Sequence, residues 1–145
     1  MPIPLTKIIL FVLALTLGAN GASMLLGAEI WFNTLPGVID TGPFNGHLVR
    51  DVGAAYLSAS ASLALSLRYP LAAFPLLLTG SVFLGLHALL HVWDSLVGRL
   101  PLHHLVSDFP GVMLPALLTL FLAFHLRSLA ITDTSSKSKK QEVTP

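Results

Sequence analysis

The sequence predicts an all-α integral membrane protein, an antiparallel bundle of four transmembrane helices with both termini on the cytoplasmic side. Three observations predict it. Hydrophobic residues make up 54% of the 145-residue chain and charged residues only 10%, against about 25% charged in a soluble domain. Apolar runs near the roughly 20 residues needed to cross a hydrocarbon core recur four times. Lys and Arg gather on one side of those runs. Folded in water, a chain of mean hydropathy +0.78 would expose apolar areas that soluble monomers rarely show. The length fits one domain. The absence of cysteine excludes disulfides and thiolate metal sites.

The first helix is expected over about 5–28. Its apolar run continues through Met24-Leu25-Leu26, which favours an uncleaved helix over a signal peptide cut at Ala19-Asn20-Gly21. Asn20, with Thr16 one turn earlier on the same face, is expected to hydrogen-bond between helices, because a polar side chain in lipid must find a partner. A link rich in turn formers, Pro36-Gly37 and Gly42-Pro43, leads to a second helix over 47–67. Arg68-Tyr69-Pro70 is short enough to make a tight hairpin with a third helix over 71–93. The link from Ser95 to Leu105 carries His103 and His104, expected to be solvated. Ser107-Asp108 before Pro110 reads as the cap and first turn of a fourth helix over 106–126. Pro75 and Pro115 are expected to kink their helices. Residues 132–145, polar with nothing to bury, are expected to be a disordered cytoplasmic tail.

Orientation follows from the basic residues. Lys7, Arg68, Arg127, Lys137, Lys139 and Lys140 lie on the side of the termini, and only Arg50 and Arg99 on the other. The termini are therefore expected in the cytoplasm, the setting a bacterial inner membrane. Trp31 and Trp93 sit where an aromatic belt would anchor the outer interface. Small residues at Ala14, Gly18 and Ala22, and along Ser58-Ala59-Ser60-Ala61-Ser62, predict close helix packing.

The outer half collects His47, His87, His91, His103 and His104, with Glu29, Asp40, Asp51, Asp94 and Asp108. His47 and Asp51 share one face of the second helix, and His87, His91 and Asp94 one face of the third. A symmetric hairpin about Tyr69 would set His47 level with His91, and Asp51 level with His87. Imidazole and carboxylate on two facing helices suit a transition metal, Zn, Fe or Cu, with haem less favoured. The candidate ligands are His47, Asp51, His87, His91 and Asp94, with Glu29 and Arg50 orienting them. The leading expectation is thus a small redox, metal-handling or accessory membrane protein. A second is a scaffold or assembly subunit whose polar cluster only ties helices together. A third is a proton relay, either in a transporter-like oligomer or serving a lipid-like or quinone-like substrate. Expected partners are the bilayer and other membrane subunits or further copies of the chain. No phosphate-binding glycine loop, His-Glu-x-x-His or nucleophile elbow occurs, and the basic residues make no nucleic-acid surface.

Overall fold

The computed structural model describes residues 3–142, and the side chains of residues 4–129. Helices α1 (Ile3–Leu26), α2 (Ala28–Thr34), α3 (Gly46–Arg68), α4 (Ala73–Leu96), α5 (His104–Ser107) and α6 (Leu114–Glu142) follow one another, with no strand among the described residues. Three segments, Pro4–Leu26, Pro70–Leu96 and Phe109–Leu129, are long and apolar enough to cross a membrane, which marks the chain as a membrane protein. Helix α3 matches the expected second helix but is not among them. Its serines and the Arg50-Asp51 pair dilute its apolar character.

Local chemistry explains the boundaries. Gly27 leaves helical geometry at φ −142° and ψ 51°, so α1 ends two residues short of the expected boundary and a short α2 begins at Ala28 and runs into the expected link. The Asn45 side chain accepts from the backbone N–H of His47 and Leu48, each at 3.1 Å, and so starts α3. Tyr69 and the 3-10 turn Pro70–Ala72 join α3 to α4. Helix α4 runs three residues beyond Trp93 to Leu96, and Gly98 turns the chain at φ +76°. A π turn, Phe109–Met113, precedes α6. Pro75 and Pro115 both fall in the first turns of their helices, where a missing N–H is tolerated, rather than in helix interiors as expected. The tail expected over 132–145 falls on residues whose side chains lie outside those described, and 143–145 lie outside altogether.

The helices pack in chain order. Between α1 and α3 the Ser60 hydroxyl donates to Ala14 O at 2.7 Å. One level along, Gly21 and Gly53 bring the two backbones together: a Cβ on Gly21 would lie 2.7 Å from Gly53 O. Helix α3 meets α4 through Gly80 against Ala59 and Leu63, and through Tyr56 against Phe83. Helix α4 meets α6 through Phe74 and Phe124, with Arg127 4.7 Å over the Phe74 ring. Leu10, Leu63, Leu77 and Leu122 fill the space between. Phe11, Leu15, Leu86, Leu89 and Phe121 point outward, as a hydrocarbon solvent allows. Asn20 accepts from Trp31 Nε1 at 2.9 Å, so it joins α1 to α2, while Thr16 bonds its own helix at Val12 O.

Candidate functional site

At the end of the bundle away from the termini, the two long connections fold back over the helices and bring a line of titratable side chains together. His91, part-buried, stands on the same face of α4 as the buried Leu84, Ala88 and Ser95. Its Nδ1 is 2.8 Å from Asp108 Oδ2, the two side chains being 20% and 13% exposed. Asp108 stands just before the π turn and makes no cap bond with its side chain, so the cap expected from Ser107-Asp108 gives way to a long-range partner. On the far side of the same oxygen, His104 Nδ1 lies 3.6 Å away. His104 is 2% exposed, not solvated as its place in a connection suggested. Its Nε2 reaches Asp40 Oδ2 at 3.2 Å, and half-exposed Asp40, in the turn Val38–Thr41, ends the line at the surface.

Deeper in the bundle the line continues through rings. His87 is 4.8 Å from His91 between centroids, edge to face. It also stacks on Phe83 at 5.7 Å and meets the Tyr56 ring edge-on at 5.6 Å. Tyr56, not Asp51, is therefore the α3 neighbour of His87. The order from interior to surface is His87, His91, Asp108, His104, Asp40.

Gly37 makes the seat for His104. It adopts φ +82°, a conformation side chains with a Cβ rarely take. A Cβ there would also lie 2.7 Å from His104 Cε1. Both the conformation and the space require glycine, and the Pro36-Gly37 turn thus serves as the floor beneath a buried imidazole.

The residues singled out from sequence are divided by the fold. On α3 the buried stripe is Val49, Gly53, Tyr56, Ala59 and Leu63. At 3.6 residues per turn, His47 and Asp51 stand about 160° around the helix from Val49. They pair with each other at 3.4 Å, their side chains 86% and 62% exposed. No hydrogen bond, ion pair or ring contact among the described residues joins either to His87 or His91. Asp94 binds Arg99 at 3.1 Å. Arg50 reaches only Gly46 O, at 3.3 Å. Glu29 lies in the first turn of α2, exposed. His125, at the opposite end, stacks on Phe121. Among the described residues no group of three or more His, Asp or Glu is placed to hold a metal ion. Equal depth along a hairpin was legible from numbering; facing direction was not.

No family model, curated protein or solved structure matches this chain. The chemistry therefore has to be read from the geometry. A carboxylate accepts only, and a neutral imidazole donates from one nitrogen and accepts at the other. With His104 Nε2–H donating to Asp40, its Nδ1 faces Asp108 at 3.6 Å, and the two bond only when one of them carries a further proton. A proton gained at one ring nitrogen and released from the other carries charge across the ring without moving the side chain. Two carboxylates flanking one buried imidazole, with a second imidazole bonded to the inner carboxylate, make an acid–base chain of four groups. Asp40, His104 and Asp108 entered the sequence reading as members of the outer-end polar group, with His104 expected to be solvated and Asp108 to cap a helix, and not as partners of one another. The one local signal for them was the i, i+4 spacing of His104 and Asp108.

Proposed function

We propose that the chain is a four-span membrane protein with cytoplasmic termini, and that its outer-end His–Asp chain, leading in to His87, is the outer part of a proton path across the membrane. The observation that carries this reading is part-buried Asp108, bonded to His91 at 2.8 Å and facing buried His104, itself bonded to surface-reaching Asp40. Ionisable groups within a membrane are costly unless paired, and chains of them mark proton paths. Support for α3 as the fourth span comes from its 23 residues, about 34 Å of helix, and from its place against both α1 and α4. Support for the orientation comes from the six basic residues on the side of the termini against two on the other. Antiparallel order is supported by contacts at two levels for each pair: Ala14 with Ser60 and Gly21 with Gly53, Gly80 with Ala59 and Phe83 with Tyr56, and Phe74 with Phe124 and His91 with Asp108.

The test is proton entry into liposomes holding the purified protein and a trapped pH dye, driven by a potassium diffusion potential. Wild-type protein is expected to admit protons well above empty liposomes, and Asp108→Asn or His104→Gln to cut that rate by at least about tenfold, because each removes one titratable link. Wild-type flux no greater than that of empty liposomes, or full flux in both variants, would overturn the proposal.

A structural latch is the second reading, favoured by one observation: the same bonds tie the turn at Val38–Thr41 and helix α5 to α4. It requires no flux at all, with a loss of thermal stability in Asp108→Asn. Metal content of the same preparation tests the ligand set drawn from sequence. Stoichiometric Zn, Fe or Cu, lost in His87→Ala and His91→Ala, would replace proton conduction with metal binding.

A further inference from the structure

Among the described side chains, helix α3 is the long helix whose outward face suits lipid least. Helices α1, α4 and α6 turn Phe11 and Leu15, Leu86 and Leu89, and Leu117 and Phe121 outward. Helix α3 exposes Leu48, Arg50 and Ala64 at the flanks of a row of six, His47, Asp51, Ala54, Ser58, Ala61 and Leu65. At 100° per residue these six fall within a sector of about 80°, opposite the buried stripe. The face runs the length of the helix.

Depth makes the face costly in hydrocarbon. A core crossed by about 20 residues and centred on the middle of α3 reaches roughly from residue 47 to residue 67. Asp51 then lies about 6 Å inside the boundary, with its side chain 62% exposed and only the imidazole of His47 beside it. Ionisable groups at such depth face protein or a water-filled space, not acyl chains. The small residues below have a different role. The Ser58 hydroxyl already bonds Ala54 O at 2.9 Å, so Ser58, like Ala54 and Ala61, offers close backbone approach rather than an unmet hydrogen bond.

We propose that this face is covered by a second copy of the chain, α3 packing along α3 about a twofold axis normal to the membrane. The inference rests on the four-span reading, which places α3 in the bilayer. Two copies inserted in the same orientation meet in parallel, and such an interface must complement itself. This face does so. Asp51 and His47 are one turn apart, so each carboxylate lies within one turn of the partner's His47 as well as its own, and the two acid–imidazole pairs close across the axis. A charge of one sign alone would repel its copy; the alternation of acid and base allows pairing. Ala54, Ser58 and Ala61 carry the seam inward.

The chain has no cysteine, so single cysteines report directly. Ser58→Cys and Ala61→Cys are placed on α3, and Phe121→Cys, on the outward face of α6, serves as the collision control. After oxidation in native membranes, both α3 variants are expected to form a disulfide-linked dimer, at several times the fraction given by Phe121→Cys. Absence of that dimer, or equal cross-linking at Phe121→Cys, would overturn the proposal. Labelling Ser58→Cys with a water-soluble maleimide separates the two layers of inference. A shielded thiol without cross-linking removes the dimer alone, whereas a freely labelled thiol puts α3 in water and removes the four-span reading with it.

Discussion

Replacing Asp108 by leucine is expected to lower the stability of the protein by about 2–4 kcal/mol, because it strips the partner from one buried imidazole and the neighbour from another. His91 is left with Nδ1 pointing at a methyl group in a site only 20% exposed. His104, 2% exposed, keeps Asp40 alone. The carboxylate is shared, so its loss is felt by α4, α5 and the turn at Val38–Thr41 together. Thermal unfolding in detergent reads the effect. Asp94→Leu is the matched control: Asp94 pairs with Arg99 at 3.1 Å, but the arginine side chain is 71% exposed, and such pairs contribute about 1 kcal/mol or less. Equal losses in the two variants would mean that Asp108 is no more deeply engaged than a surface acid.

Gly53→Val is expected to cost about 3 kcal/mol, the upper range for forcing atoms into a packed interface. A Cβ at Gly53 would lie 2.8 Å from Met24 Cβ and 2.9 Å from Gly21 O. Neither neighbour is the free end of a flexible chain, so relief requires α1 and α3 to separate. Separation would strain the Ser60–Ala14 bond two turns along. Gly85 gives the contrast. It is a helical glycine in α4 with nothing within 4 Å of an added Cβ, so Gly85→Ala is expected to stabilise by about 0.5–1 kcal/mol through helix propensity alone. Unfolding of the two variants side by side distinguishes loss of space from loss of flexibility. A Gly53→Val protein as stable as wild type would contradict the close crossing of α1 and α3.

The long helices were legible because length and composition set them locally. Gly46–Arg68 lies within one residue of the expected 47–67. The division at Gly27 and the late start of α6 were less so: a glycine inside an apolar run, or a proline near a serine and an aspartate, permits several endings. The site was legible in kind and in place but not in membership. His87 and His91 were found by helical spacing, and both lie on the chain of titratable groups. His47 and Asp51 were grouped with them by depth alone, although they stand on the opposite side of α3 from its buried stripe. Asp40, His104 and Asp108 reach the same place through irregular connections, whose path depends on how Gly37 and the π turn at Phe109–Met113 aim the backbone. No periodicity encodes such a path. Composition does explain why its inner part must close: His104 and Asp108, carried against an apolar bundle, have little but His91, Asp40 and one another to bond with.

The line from His91 through Asp108 to His104 is tested most directly by nitrogen-15 spectra of histidine-labelled protein in bilayers, recorded for wild type and Asp108→Asn. The expected result is that the His91 and His104 ring signals shift together on that substitution, while those of His47 and His125 stay in place. Ring signals of His91 and His104 that are those of free imidazole, unmoved by Asp108→Asn, would contradict it.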